Sequence, residues 1–333
     1  MFLEIKKIVI RILSPSLRIP PISGPQGHYP IPVKGDKIQV HRRQEGEKKY
    51  SALLPNGFSI INYMKKRTLT LFSILALVVH FVDFSIADEK TENIRGIKKV
   101  KRIQKLNDEV KKNAKSINES FLVFSEKLNK EKLPLLIYLH GAGGRGDDIE
   151  RIKTSVIPLL KGLEKFVDEK CIVVAPQCLR DAREGGRGSW KYEELNEWLK
   201  QLKSTLPIDD KRIYLMGNSM GGYGSWMWGG NTPNHFAAIA PIVGGIGPNG
   251  PKDVTKDLDK WAKNLAKVPV YAYAGAKDRV VPAERSERMI SAIRKAEGQL
   301  SKIKVFPNEG HGAKRLVLSS SEFYKWMFSQ KQK

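Results

Sequence analysis

The chain has 333 residues, of which 41% are hydrophobic and 28% charged, and a formal net charge of +23. That length holds one large domain or two small ones, and the apolar fraction suffices for a sizeable core. Two cysteines supply too few ligands for a zinc centre, so the composition indicates no metal site.

The first 63 residues read as neither helix nor strand. Pro15, Pro20, Pro21, Pro25, Pro30 and Pro32 crowd a stretch without lasting periodicity. Residues 64–87 then carry the three parts of a secretory signal. Met64 is followed by Lys65, Lys66 and Arg67, an apolar run extends from Leu69 to Val79, and the small-x-small site Ser85-Ile86-Ala87 precedes Asp88. The apolar run is too short to span a bilayer comfortably. Translation is therefore expected to begin at Met64, with residues 1–63 a mis-set or disordered extension and 88–333 the mature, exported chain, periplasmic or secreted. Residues 88–333 hold 45 basic and 30 acidic residues, still +15. An envelope rich in anionic polymer would attract such a charge, and plain solubility explains it equally.

Residues 88–118 are a basic stretch. Ile97, Val100, Ile103, Leu106 and Val110 recur at steps of three and four, which predicts an amphipathic helix. Lys98, Lys99, Lys101, Arg102 and Lys105 fall between them as a cationic, solvated face.

From residue 119 to 333 short apolar runs alternate with helical patterns. The runs are Phe121–Phe124, Leu135–Leu139, Ile172–Ala175, Ile213–Met216, Ala237–Val243, Val268–Ala274 and Ile303–Phe306. The helical patterns include Tyr192–Leu206, Leu258–Lys267, Ala283–Ala296 and Ser321–Ser329. This predicts an α/β domain with a mainly parallel sheet covered on both faces and little or no cap. Chemistry is then expected just beyond the carboxyl ends of the strands. Cys171 and Cys178 bracket one predicted strand. Seven extended residues span roughly 23 Å, well beyond the ~7 Å limit for a bridge, so no disulfide is expected.

The run Arg212–Met216 leads into Gly217-Asn218-Ser219-Met220-Gly221, a G-x-S-x-G pattern on a predicted strand-to-helix turn. Roughly 0.1 chance matches are expected in a chain this long, so the pattern needs partners. The chain order Ser, acid, His supplies them. His28, His41 and His80 precede Asp88, His140 precedes Ser219, and no acid lies between Ser219 and His235. His311 is left, just after the run Ile303–Phe306. Between 219 and 311, Asp278 alone follows an apolar strand directly, through Gly275-Ala276-Lys277. A serine, a base and an orienting carboxylate in this order point to acyl transfer. The backbone N–H of Met220 and that of Ala142, with Gly141 as the alternative, are the expected oxyanion donors. The glycine-rich loop His140–Gly146 lacks the Lys and hydroxyl residue of a phosphate loop, so nucleotide binding is not indicated.

With these pieces in view, residues 119–330 resemble the α/β-hydrolase superfamily. Within it they are similar to bacterial secreted esterases of the phospholipase/carboxylesterase, polyhydroxybutyrate depolymerase-like and "predicted peptidase" groups. The matching stretches are 139–146, 175–178 with Trp190, 212–222, 240–245, 275–282 and 310–312. The resemblance implies a serine carboxylic ester hydrolase with no cofactor, acting on a small-molecule or carbohydrate or polymer ester. No nucleic-acid partner is expected, and membrane association only if residues 64–87 stay uncleaved. It also implies that Trp190, Gly141 and Gln177 contact substrate, although Trp190 reads equally well as a core aromatic. The loop Leu179–Gly188, with Arg180, Arg183 and Arg187 beside Asp181 and Glu184, leaves the charge preference open. A serine peptidase and a non-catalytic binding module on the same fold are the competing readings.

Overall fold

A computed structural model of the protein describes residues 91–181 and 189–332. The expected N-terminal extension, the signal segment and Arg183, Glu184 and Arg187 lie outside these residues. Among the described residues, no helix is long and apolar enough to cross a membrane.

Nine strands of the described residues form one sheet: β1 (Thr91–Asn93), β2 (Val100–Lys105), β3 (Ile117–Ser125), β4 (Leu133–Leu139), β5 (Ile172–Cys178), β6 (Ile208–Asn218), β7 (Ala238–Ile242), β8 (Val270–Gly275) and β9 (Ser301–Phe306). Their spatial order is β1-β2-β3-β5-β4-β6-β7-β8-β9. The first three strands and the β3–β5 pair run antiparallel, and β5 to β9 are parallel. The sequence steps outward from β4 to β5 on one side, then returns to place β6 on the other. The crevice between the carboxyl ends of β4 and β6 is thus the switch point at which such sheets bind ligands.

Period-two alternation divides the strand side chains between two cores. On one face Leu135, Ile137 and Leu139 join Trp198, Trp226, Trp228, Trp261, Met289 and Ile293. These come from α3 (Tyr192–Thr205), α4 (Met220–Asn231), α5 (Leu258–Leu265) and α6 (Ala283–Lys295), which follow the short α1 (Asp108–Asn113) and α2 (Lys153–Phe166) in the chain. On the other face Leu136 and Tyr138 pack with Leu159 and Leu163 of α2, Val317 of α7 (Lys314–Leu318) and Phe323, Tyr324 and Met327 of α8 (Ser321–Phe328). Both faces are covered, as unbroken apolar strands require.

The segment 91–118 departs from expectation. It is not an amphipathic helix ahead of the domain: it adds β1 and β2 to the sheet edge, and only 108–113 is helical. The apolar residues that suggested one helical face serve both sides of the sheet. Ile97 and Ile103 pack on the α2 side, whereas Leu106 and Val110 join the opposite core. Nor are all its cations solvated. Lys99 and Lys101 are buried, Lys99 beside Glu164 at 3.6 Å and Lys101 between Glu92 and Glu150. Hydrogen bonds from Lys101 and Lys153 lower the Glu92 pKa to about 2. Tertiary ion pairing has overridden the local pattern. Cys171 and Cys178 are buried and not joined by a disulfide.

Candidate active site

Ser219 sits between the last residue of β6 and the first of α4, with φ 56° and ψ −116°. A residue with a Cβ avoids this region, so the turn is strained. Neighbouring hydrogen bonds hold it there. Ser219 N–H donates to Ile242 O at 2.9 Å, and Tyr223 N–H donates to Ser219 O at 2.9 Å. The flanking glycines follow from crowding rather than from their own dihedrals. A Cβ on Gly217 would lie 2.3 Å from Gly221 O, and one on Gly221 would lie 1.9 Å from Leu139 O. Only bare backbone lets α4 start this close to β4.

His311 lies in the loop after β9, and the structure brings it to Ser219 and Asp278. Its Nε2 is 2.8 Å from Ser219 Oγ, and its Nδ1 is 2.8 Å from Asp278 Oδ2. The other Asp278 oxygen accepts from the backbone N–H groups of Val280 and Val281, both at 2.9 Å. The Asp278 side chain is fully buried, whereas that of His311 is 31% exposed, so one end is fixed and the other opens on the cleft. The two loops dock through backbone. Lys277 N–H donates to Glu309 O at 2.8 Å. A Cβ on Gly275 would lie 2.4 Å from Gly310 O.

The loop after β4 is organised by His140. This buried imidazole accepts from Cys178 N–H at Nε2 (2.9 Å), so its proton resides on Nδ1, which donates to Gly141 O at 2.6 Å. Ala142–Gly144 then form one 3₁₀ turn. Ala142 opens that turn and Met220 opens α4, so both N–H groups belong to first turns, where amides lack an acceptor within the helix. Both residues line a cleft of about 710 Å³ together with Ser219.

Burial lowers the His140 pKa from 6.5 to about 4. Between those values the unfolded chain binds a proton that the native chain does not, so stability present at neutral pH is lost as pH falls from 6.5 towards 4. The shift corresponds to about 3 kcal/mol. In an NMR titration the His140 ring resonances are expected to keep neutral-form positions down to about pH 5. A midpoint near 6.5 would show that the ring is not buried in this way.

Two expected substrate contacts are corrected. Trp190 is 3% exposed and belongs to the core, edge-on to His140 with ring centroids 4.9 Å apart. Gln177 is fully buried and committed to scaffold. It accepts from Asn118 Nδ2 and donates to the carbonyls of Gly144 and Asp148. It braces the loop from behind: both its N–H donors are used, and full burial keeps its carbonyl oxygen from a ligand. Gly141 lies against Asn218 and Ser219, where a Cβ would come within 3.4 Å of Ser219 Cβ. The cleft walls are instead Arg145, Tyr223, Val280, Val281 and the segment Gly247–Pro251. The last follows β7 by a few residues, at a carboxyl strand end, but nothing in its own sequence singled it out. Arg145 and Tyr223 carried no signal of their own.

Comparisons with known proteins bear on the fold. Residues 184–316, a stretch that includes Ser219, Asp278 and His311, match the family model "Dienelactone hydrolase family". A protein of Yersinia pestis named "Putative carboxymethylenebutenolidase" is 32% identical over 109 residues, 31% of this chain and 38% of its own. The match thus spans well under half of that relative's length. Among solved structures, a thermostable esterase has a TM-score of 0.53 at 24% identity, covering 64% of this chain and 60% of its own. A ferulic acid esterase has 0.54 at 18%, covering 70% and 98%. The S-formylglutathione hydrolase of Agrobacterium tumefaciens has 0.52 at 16%, covering 72% and 98%. At these identities the likeness is one of fold: the chain is an α/β-hydrolase-fold protein whose residues 184–316 are similar to dienelactone hydrolases.

Proposed function

We propose that the protein is a serine hydrolase that cleaves carboxylic esters through an acyl-enzyme on Ser219. The observation that carries this reading is the hydrogen-bonded line from Ser219 Oγ through His311 to a buried Asp278, with the serine held at positive φ beside a cleft. The names of the matching family and of the structural neighbours, esterases among them, support the same reaction class.

His311 Nε2 takes the proton of Ser219 as Oγ attacks the ester carbonyl. Asp278 keeps the other ring proton on Nδ1 and stabilises the imidazolium that forms. The N–H groups of Met220 and Ala142 receive the oxyanion, a contribution of several kcal/mol in comparable sites. His311 then protonates the leaving alkoxide. Water, deprotonated by the same imidazole, attacks the acyl-enzyme, releases the acid and restores the serine. No step calls for a cofactor.

The mature chain is expected to hydrolyse p-nitrophenyl acetate at a rate far above that for a peptide anilide. Faster cleavage of the anilide would favour a peptidase instead. Labelling by a fluorophosphonate at a residue other than Ser219, or at none, would refute the acyl-enzyme. Export is proposed alongside, on residues 64–87. N-terminal sequencing of the native protein is expected to begin at Asp88.

A further inference from the structure

Lys314 opens α7, three residues after His311, and is half-buried. Among the described residues, no carboxylate pairs with it. Its ammonium donates to Tyr138 Oη at 3.3 Å and lies 5.8 Å from the centroid of the same ring. Burial alone lowers its pKa. A half-buried cation with no counter-charge is an unfavourable way to fill space, because desolvation is not offset by an ion pair. A methionine would pack there at no such cost.

What the amine reaches explains the arrangement. An ammonium only donates, so Tyr138 accepts from it and must use its own proton elsewhere. That proton goes to Asn218 Oδ1, 2.6 Å away. Burial also pushes the Tyr138 phenol up, so it remains a donor. Asn218 immediately precedes Ser219. With its Oδ1 held by Tyr138, the opposite end, Nδ2, faces Gly141, where a Cβ would approach it to 3.1 Å. One line of donors therefore joins the His311 loop, the β4 strand that leads into the oxyanion loop, and the residue before the nucleophile.

We propose that Lys314 and Tyr138 form a positioning relay that fixes the Asn218 amide, with its NH₂ end towards the oxyanion loop, and so aligns the nucleophile turn. This rests on the reading of Ser219 as nucleophile. The cation strengthens the Tyr138 donor, since a charge-assisted hydrogen bond polarises the next one in line. A released Asn218 could turn its carbonyl dipole towards the developing oxyanion, which opposes the transition state and leaves ground-state binding alone.

The test is a double-mutant cycle on p-nitrophenyl acetate with Lys314→Met, Tyr138→Phe and the pair. Lys314→Gln, which keeps a neutral donor, serves as the second variant should Lys314→Met fail to fold. Each single change is expected to lower kcat about 10-fold, an order of magnitude less than loss of a direct oxyanion donor. KM should stay within about twofold, and the double variant should be no worse than Tyr138→Phe, because both act through one line. Lys314→Gln should fall between wild type and Lys314→Met. An unchanged kcat in Lys314→Met or Lys314→Gln, multiplicative losses in the pair, or a change confined to KM would overturn the relay. Fluorophosphonate labelling of the wild type at Ser219 separates this from failure of the nucleophile itself. A wild type that labels and a Lys314 variant with full kcat reject the relay alone.

Discussion

Ser219→Ala is expected to lower kcat for ester hydrolysis by about 10⁴- to 10⁶-fold, the range seen when a serine nucleophile is removed. The imidazole then has nothing to deprotonate, and the two oxyanion donors leave only residual catalysis. Stability should barely change, because alanine keeps a Cβ at the same φ of 56°. Glycine at this position is the informative companion. It tolerates positive φ without the steric penalty, so Ser219→Gly should be more stable than Ser219→Ala by about 1 kcal/mol while equally inactive. Kinetics on p-nitrophenyl acetate and urea unfolding of both variants check this. Activity within tenfold of wild type in either would remove Ser219 from the mechanism. Equal stability would mean that the turn is not strained.

The second large effect falls on a residue with no chemistry. Gly221→Ala places a methyl 1.9 Å from Leu139 O and 2.5 Å from Leu139 C. Both atoms belong to the buried central strand β4, which cannot retreat without breaking its pairing with β5 and β6. The expected loss exceeds about 4 kcal/mol, enough to abolish soluble protein in a fold of ordinary stability. Gly143→Ala is the matched control. Its added Cβ meets nothing within 4 Å, and its stability should stay within about 0.5 kcal/mol of wild type. Comparing soluble yield and urea midpoints decides the matter. Similar behaviour of the two variants would show that α4 is not wedged against β4.

Of the strands that carry the site, β4, β7 and β8 were legible because each is a fully buried apolar run between turn residues, whereas β9 mixes Lys302 and Lys304 with its apolar residues. A run buried on both faces leaves no polar position to blur it. Their ends were less so. β6 begins at Ile208 rather than 213, since Asp209, Asp210 and Lys211 hide the strand's start from a hydrophobicity reading. The basic stretch 97–110 misled for a related reason. Its apolar spacing fits a helix, yet a strand crossing the sheet edge and a short helix behind it use the same residues on opposite faces.

The site divides in the same way. Chain order and strand ends selected Ser219, Asp278 and His311, and the fold brings His311 within hydrogen-bonding distance of both Ser219 and Asp278. Gln177 and Trp190 looked like ligand contacts, but they stand behind the oxyanion loop and in the core. A glutamine that satisfies buried carbonyls and one that meets a substrate have the same spelling. Only the partners distinguish them. Lys314 and Tyr138 gave no local signal, because a lysine three residues after a histidine is ordinary until its burial and missing counter-charge are known.

By itself, then, the sequence determined the alternating α/β architecture, the strand-to-helix turn at Ser219, and the order in which serine, aspartate and histidine arrive. Those features depend on local pattern, backbone sterics and connection rules that act along the chain. Tertiary structure alone decided that residues 91–105 join the sheet, that Gln177 and Trp190 serve as scaffold, and that Gly247–Pro251, Tyr223 and Arg145 wall the cleft. Each of these is settled by which groups from distant elements meet, and burial and hydrogen-bond satisfaction belong to that meeting rather than to any one segment.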